Sequence, residues 1–203
     1  MTEEATAERP GGGLLHSEEA RPYLVVVAMA AAMWLVELID LLPGVDLDRW
    51  GIQPRTLSGL VGIVAAPFLH ADLGHLIENT ITFVVLGCII AASGTQRFVQ
   101  VTVITALVAG LGTWLVAPAD TTHVGASGLV FGYLAYLLVR GVFERRLTFL
   151  AVSLLVLFFY GGVLWGLLPR PGISWQGHLF GALGGVVAAW VIHGRGRGGE
   201  AEA

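Results

Sequence analysis

Lysine is absent from this chain of 203 residues, and charged residues of all kinds make up only 13% of it. The eleven basic residues are therefore all arginines, and the formal net charge of -4 comes largely from the acidic N-terminal end of the chain. Proteins that bind nucleic acid usually carry a dense basic patch, which this composition does not provide. The sequence therefore predicts no nucleic-acid partner.

The chain also has little cysteine and no segment of the signal-peptide type at its start. Cys88 is the only cysteine, so a disulfide within the chain is excluded, and its apolar surroundings favour a packing role. The acidic, glycine-rich residues 1–21 lack the basic start and short apolar core of a cleavable signal peptide. We interpret them as a disordered cytoplasmic tail, and residues 194–203 as a short polar cytoplasmic tail.

Long apolar segments dominate the rest of the chain, which is 55% hydrophobic with a mean hydropathy of +0.76. A helix needs about 20 residues to cross the hydrocarbon core of a bilayer, and six apolar segments approach that length. They are Tyr23–Leu42, His75–Ala92, Phe98–Ala117, Gly125–Val142, Leu147–Leu168 and Ser174–His193. The sequence therefore predicts an all-α membrane protein, with a six-helix transmembrane domain over residues 22–193.

The arginines predict the orientation of this bundle in the membrane. With both termini cytoplasmic, eight arginines fall in inner segments and three, Arg49, Arg55 and Arg170, in outer ones. Cytoplasmic loops of membrane proteins are enriched in basic residues, so this orientation is favoured. The second, fourth and sixth segments then begin at the outer face. We expect an integral membrane protein of a bacterial plasma membrane.

Four polar residues lie within about two turns of those outer starts, namely His75, Asn79, Ser127 and His178. Polar side chains at membrane depth are costly unless they have partners, so a cluster at one depth predicts a site. His75 and Asn79 are four residues apart and therefore share one face of a helix. A single serine or histidine often only bonds a neighbouring helix, and the grouping of four is what favours function here.

Small residues on the fourth and sixth segments predict that these two helices approach each other closely. Gly177, Gly181 and Gly185 recur every four residues on the sixth segment, and the fourth carries Gly128 and Gly132. Residues of this kind allow helix backbones to come near each other in a membrane. The short side chain of Ser127 needs such an approach in order to reach the imidazole of His178.

Three stretches of the sequence together resemble the motifs of the rhomboid intramembrane serine proteases. They are HADLGHLIENT from His70, GASGLVFG from Gly125 and GHLFGALGG from Gly177, in the family's order and on matching helices. The resemblance covers about residues 49–189. It implies cleavage of peptide bonds in or near the transmembrane segments of membrane-protein substrates, within the lipid bilayer.

The resemblance also implies roles for individual residues. Ser127 matches the nucleophile and His178 the general base, while His75 and Asn79 match residues that line the oxyanion site. His70 matches a histidine with a more structural role. Further positions of the matching motifs are Gly125, Gly128, Phe131 and Gly181.

The residue types suit this chemistry without the family name. A serine hydroxyl needs a base within about 2.6 to 3.2 Å, and histidine is suited by its ordinary pKa near 6.5. The Asn79 amide, a His75 N–H and the backbone N–H of Ser127 could stabilise the oxyanion. Nothing in the spacing of Glu37 or Asp40 points to His178, so we expect a Ser/His dyad that requires no cofactor and no metal.

The sequence departs from the family pattern in three places. Arg49-Trp50 reverses the Trp-Arg pair of many rhomboids and lies farther from His70, which leaves the anchoring of this loop open. Phe131 stands where several members have a tyrosine that packs on the catalytic histidine. Glu78, next to Asn79, is expected to point about 100° away from it, toward the membrane interface.

Two other functions remain possible from the sequence. One is a rhomboid-like pseudoprotease that binds transmembrane segments without cleaving them, although such members usually lack the serine or the histidine. The other is a transporter or metal site with His70, His75 and His178 as ligands. His70 and His75 are five residues apart, which is not the helical i, i+4 metal pair, and no cysteine or well-placed carboxylate completes a set.

Overall fold

The described part of the chain, residues 20–194 of a computed structural model, is built almost entirely from helices. Six of them are long and apolar enough to cross a membrane, which confirms the prediction of a polytopic all-α membrane protein. They are α1 (Arg21–Asp40), α2 (Leu73–Ala91), α3 (Thr95–Val116), α4 (Ser127–Glu144), α5 (Leu147–Tyr160, continued by the 3-10 helix Gly161–Leu167) and α6 (Trp175–His193). Residues 1–19 and 195–203, and so nearly all of both expected tails, lie outside the described residues.

Most helix ends lie within one to three residues of those expected from the apolar pattern, and two of the differences have a clear physical reason. The fourth helix begins at Ser127 and not at Gly125, because Gly125 has a φ of +110°, which a right-handed helix does not allow. The apolar pattern predicts one helix to Leu168 in the fifth segment, but the α-helix ends at Tyr160 and the chain tightens into a 3-10 helix at Gly161. Two consecutive glycines at this point have low helix propensity, which explains the change.

The start of α2 is determined by an N-terminal cap. Asp72 has extended backbone angles, and its carboxylate accepts a hydrogen bond of 2.8 Å from the backbone N–H of His75. Such a cap satisfies one of the N–H groups that a helix start leaves without a partner. Because the helix begins here, His75 and Asn79 lie one turn apart on one face.

Helix α4 is the centre of the bundle. In its most apolar stretch of 18 residues 56% of the residues are buried, compared with 11% in the corresponding stretch of the fifth spanning segment. Its backbone lies against α6: a Cβ atom added to Gly181 would be 2.2 Å from the carbonyl oxygen of Gly128, and one added to Gly185 would be 2.0 Å from that of Gly132. The two helices therefore make backbone contact along one face, as the small residues predicted.

The long connection between α1 and α2 packs on the C-terminal end of α3. The guanidinium of Arg55 donates to the carbonyl oxygens of Leu115 and Ala117, at 3.0 and 2.8 Å. The indole N–H of Trp114 donates to the carbonyl of Thr56 at 2.8 Å. The loop is thus anchored by an arginine and a tryptophan that are distant in sequence, and not by Arg49-Trp50.

A polar network closes the opposite end of the bundle. Arg140, buried on α4, forms an ion pair with Glu144 at 2.7 Å and donates to Ser93 at 2.8 Å. His193, at the end of α6, contacts Glu144 at 3.2 Å and the hydroxyl of Tyr136 at 3.0 Å. These contacts join α4 to α6 at the end where the glycine contacts stop.

We predict that Gly181→Ala destabilises the bundle. The new methyl group would overlap the carbonyl of Gly128, and overpacking of this kind typically lowers the free energy of unfolding by about 1–3 kcal/mol. Thermal unfolding in detergent measures the effect. Gly162→Ala is the matched control, since a Cβ there meets nothing within 4 Å, and an equal melting temperature for the two variants would contradict the proposed backbone contact.

Candidate active site

Ser127 and His178 face each other across the contact between α4 and α6. Ser127 is the first residue of α4, and His178 lies in the first turn of α6. Their side chains are joined by a hydrogen bond of 2.9 Å between Ser127 Oγ and His178 Nε2. This distance lies within the range in which a histidine can accept the proton of a serine hydroxyl.

The second ring nitrogen of His178 contacts the backbone and not an acid. Its Nδ1 lies 2.7 Å from the carbonyl oxygen of Gly166, in the 3-10 helix that follows α5. A carbonyl oxygen can only accept, so Nδ1 carries the proton and Nε2 presents its lone pair to Ser127. The Gly166 carbonyl thereby occupies the position that an aspartate has in a Ser-His-Asp triad.

Phe131 determines the plane of the His178 ring. The two rings are stacked, with centroids 4.2 Å apart and planes 8° from parallel. Phe131 lies one turn after Ser127 on α4, so the same helix supplies the hydroxyl and the ring against which the histidine rests. Phenylalanine serves this contact without the hydroxyl that a tyrosine would add.

The loop before Ser127 is bonded to the segment that precedes α2. The N–H of Gly125 donates to the carbonyl of Ala66 at 2.8 Å, and the N–H of Ala126 donates to His70 Nε2 at 3.4 Å. His70 is buried, and burial together with the neighbouring His75 lowers its pKa to about 4. It is therefore neutral near pH 7 and able to accept this bond, which is a structural role.

His75 and Asn79 lie on the other side of Gly125. A Cβ atom at Gly125 would be 2.6 Å from Cε1 of His75 and 3.5 Å from Nδ2 of Asn79. Glycine is thus needed here both for its positive φ and for the space that the His75 ring occupies.

Asn79 is only 6% exposed, and its side-chain Nδ2 has no hydrogen-bond partner among the described residues. A buried donor without an acceptor is unfavourable in a folded protein unless another group uses it. The N–H of Ser127, in the first turn of α4, also has no acceptor within its own helix. Two N–H donors therefore border the space beside the serine hydroxyl.

A cleft of about 480 Å³ opens beside these groups. Its lining includes His75, Asn79, Ser127, Phe131 and His178, so the structure brings together every residue expected for catalysis and oxyanion binding. Glu78 is exposed and also borders the cleft, whereas its neighbour Asn79 is buried. A serine, the histidine bonded to it and N–H donors thus share one cavity, an arrangement that suits acyl transfer.

The two carboxylates considered for a triad do not line the cleft, and neither bonds His178. Asp40 accepts a hydrogen bond from the backbone of Leu47, and Glu37 is buried on α1. Both ring nitrogens of His178 are used by Ser127 and Gly166. Within residues 20–194, no group of three or more His, Cys, Asp or Glu side chains is arranged to hold a metal ion.

Three residues of this region carried no signal in the sequence. Gly166 acts through its carbonyl oxygen, which every residue has. His123 and Ser174 contact each other at 2.7 Å and border the same cleft. A histidine and a serine in two loops, 51 residues apart, have no spacing that would relate them.

Comparison with known proteins gives a consistent family assignment. The sequence model of the Rhomboid domain matches residues 58–195. An uncharacterized protein of Mycobacterium tuberculosis is 47% identical over 82% of this chain and 73% of its own length. The Bacillus subtilis protein named "Putative rhomboid protease YdcA" is 26% identical over 82% of this chain and 85% of its own length. "Rhomboid-like protein 11, chloroplastic" of Arabidopsis thaliana is 31% identical over 64% of this chain and 51% of its own length.

We predict that Gly166→Ala slows the reaction of Ser127 with a fluorophosphonate probe by about tenfold or more, because small misplacements of reacting groups are costly. Its Cβ would lie 3.0 Å from Nδ1 of His178 and 2.9 Å from Cζ of Phe131, which displaces the ring. The labelling rate in detergent measures this. Gly162→Ala, in the same 3-10 helix, should label like the wild type, and equal rates for all three proteins would contradict the role given to Gly166.

Proposed function

Because this chain belongs to the rhomboid family, we propose that it is an intramembrane serine protease, which hydrolyses peptide bonds in or near the transmembrane segments of other membrane proteins. The observation that carries the proposal is the hydrogen bond of 2.9 Å between Ser127 Oγ and His178 Nε2. The bond from His178 Nδ1 to the Gly166 carbonyl supports it, because it leaves Nε2 free to act as a base.

In the first half of the reaction, Ser127 Oγ attacks the carbonyl carbon of the peptide bond while its proton passes to His178 Nε2. The tetrahedral intermediate then collapses. The bond between the carbonyl carbon and the nitrogen breaks, and His178 gives the proton to the leaving amine. The acyl group of the substrate is now an ester of Ser127.

In the second half, a water molecule attacks this ester. His178 Nε2 accepts the proton of the water, and after collapse of the second intermediate the proton returns to Ser127 Oγ. The products are a carboxylic acid and the free serine. Each proton transfer uses His178, so the mechanism needs no acid besides the imidazolium and no cofactor or metal.

The negative charge of both intermediates develops on the former carbonyl oxygen. We propose that Asn79 Nδ2, the His75 ring and the N–H of Ser127 stabilise it. The support is the position of the Asn79 amide, which is buried at the cleft and has no acceptor among the described residues in the free protein. A donor that is already oriented stabilises the transition state without a reorganisation cost.

The six apolar helices make the chain an integral membrane protein, and the lipid bilayer is its surrounding. We propose that the N and C termini are cytoplasmic and that the cleft faces the outer side of a bacterial plasma membrane. The support is the excess of arginines in the segments at the end away from the cleft. Transmembrane proteins are the expected substrates.

We predict that Ser127→Ala and His178→Ala each abolish cleavage of a model transmembrane substrate, while the folded protein remains in the membrane. Both changes remove one of the two groups that transfer the proton. Cleavage in proteoliposomes, with thermal unfolding as the test of folding, measures this. A wild type no more active than Ser127→Ala, yet able to bind the segment, would indicate the pseudoprotease.

We predict that Asn79→Ala lowers kcat by about 10² to 10³ and changes KM much less, because an oxyanion donor acts mainly in the transition state. Its melting temperature should not fall, since Nδ2 has no partner to lose. Ile81→Ala, on the exposed face of α2, is the control. Near-normal kcat together with a lowered melting temperature would mean that Asn79 only stabilises the fold.

A further inference from the structure

The two segments that lead into α4 and α6 are joined by a hydrogen bond that the reaction itself does not use. His123 Nδ1 lies 2.7 Å from Ser174 Oγ. His123 precedes Ser127 by four residues, and Ser174 precedes His178 by four residues. The bond therefore links the two segments just before each of them delivers its reacting side chain.

The donor and acceptor of this bond follow from the contact that Thr121 makes with the other nitrogen of the His123 ring. Thr121 Oγ1 donates its only proton to the carbonyl of Pro118 at 2.6 Å, so it can only accept from His123 Nε2, which lies 2.8 Å away. His123 Nε2 therefore carries the ring proton, and Nδ1 accepts from the hydroxyl of Ser174. Burial lowers the pKa of His123, which favours the neutral ring that this pattern requires.

The backbone of His123 is bonded as well. Its N–H donates to the carbonyl of Ile52 at 3.0 Å, and its carbonyl accepts from the N–H of Ile52 at 2.9 Å. The imidazole thus projects from a segment that is paired with the loop between α1 and α2. Because the backbone of His123 is held in this way, its side chain can hold Ser174 at a defined distance from that segment.

Ser174 is the residue immediately before α6, where a serine side chain ordinarily caps its own helix. Here the side chain makes no capping bond, and its hydroxyl donates to His123 instead. The carbonyl of Ser174 accepts from the N–H of His178 at 3.1 Å. Ser174 is therefore bonded to His123 through its side chain and to His178 through its backbone.

We propose that the His123–Ser174 bridge, as we call this bond, sets the separation between Ser127 and His178, and that His123 and Ser174 are positioning residues of the protease. The inference rests on the proposed function. Both residues border the cleft and also a smaller cavity of about 40 Å³ next to Ser127, so the bridge lies directly beside the reacting pair. Neither residue contacts the Ser127 hydroxyl or the His178 ring by a hydrogen bond.

The test uses side chains that retain or lose the bridge. In His123→Asn the side-chain oxygen can take the place of Nδ1 and still accept from Ser174. In His123→Gln the longer side chain places its amide near the position of Nε2, and Ser174→Ala removes the hydroxyl. Ser58→Ala is the control, because Ser58 is an exposed serine of the loop between α1 and α2 whose hydroxyl bonds only to Gln53 and Thr56 among the described residues.

We predict that Ser174→Ala and His123→Gln lower kcat about tenfold with little change in KM or melting temperature, since small displacements of reacting groups reduce turnover. His123→Asn and Ser58→Ala should stay within about twofold of the wild type, the range of a modest hydrogen-bond effect. The double variant His123→Gln/Ser174→Ala should be no slower than either single variant, because both remove one contact. Wild-type kcat in both single variants, or a loss in the double variant equal to the product of the single losses, would overturn the proposal.

A readout independent of cleavage separates this proposal from the protease assignment. The NMR signal of the His178 Nδ1 proton, which faces Gly166, should shift in Ser174→Ala and His123→Gln but not in His123→Asn or Ser58→Ala. An unchanged signal in the first two would overturn the bridge whatever the activity. A wild type that cleaves no faster than Ser127→Ala, with the signal shifted as expected, would overturn the protease function and leave the bridge in place.

Discussion

The backbone contact between α4 and α6 is the constraint on which the rest of this structure depends. Ser127 has one of the shortest polar side chains, and it reaches His178 only because the carbonyls of Gly128 and Gly132 lie against Gly181 and Gly185. Lipid provides no hydrophobic force that would press two apolar helices together, so close packing of small residues is what makes such an approach favourable. The Ser127–His178 pair lies at the end of this contact where both helices begin.

Two histidines near the candidate site bond the backbone, which suits a membrane protein because unpaired polar groups are expensive in lipid. His178 bonds the carbonyl of Gly166, and His70 accepts from the N–H of Ala126. These contacts introduce no net charge among the helices. A carboxylate in place of the Gly166 carbonyl would require its own desolvation to be offset.

Asn79 is informative, because its buried Nδ2 remains without a hydrogen-bond partner among the described residues. In a well-packed bundle, a polar group left in this state costs stability, and such costs are typical of functional sites. Under our proposal, the acceptor for Asn79 Nδ2 is the oxyanion of the tetrahedral intermediate, which exists only during the reaction. The stability lost in the resting protein is then recovered when the oxyanion forms.

Much of the fold and part of the site could be predicted from the sequence. The six apolar segments predicted the six spanning helices, because length and hydropathy alone decide whether a helix can cross a bilayer. The spacing of His75 and Asn79 placed them on one face, and the glycine repeats predicted the contact between α4 and α6. These are local properties, which a linear pattern records directly.

Tertiary structure alone decided how the loops complete the site. The Gly166 carbonyl, the anchoring of the first loop by Arg55 and Trp114, and the His123–Ser174 bridge all join positions that are distant in sequence. A carbonyl oxygen is common to every residue and leaves no mark in the sequence, and loop side chains have no helical or strand period that relates one to another. Their partners are determined only when the packing of the six helices brings the loop ends together.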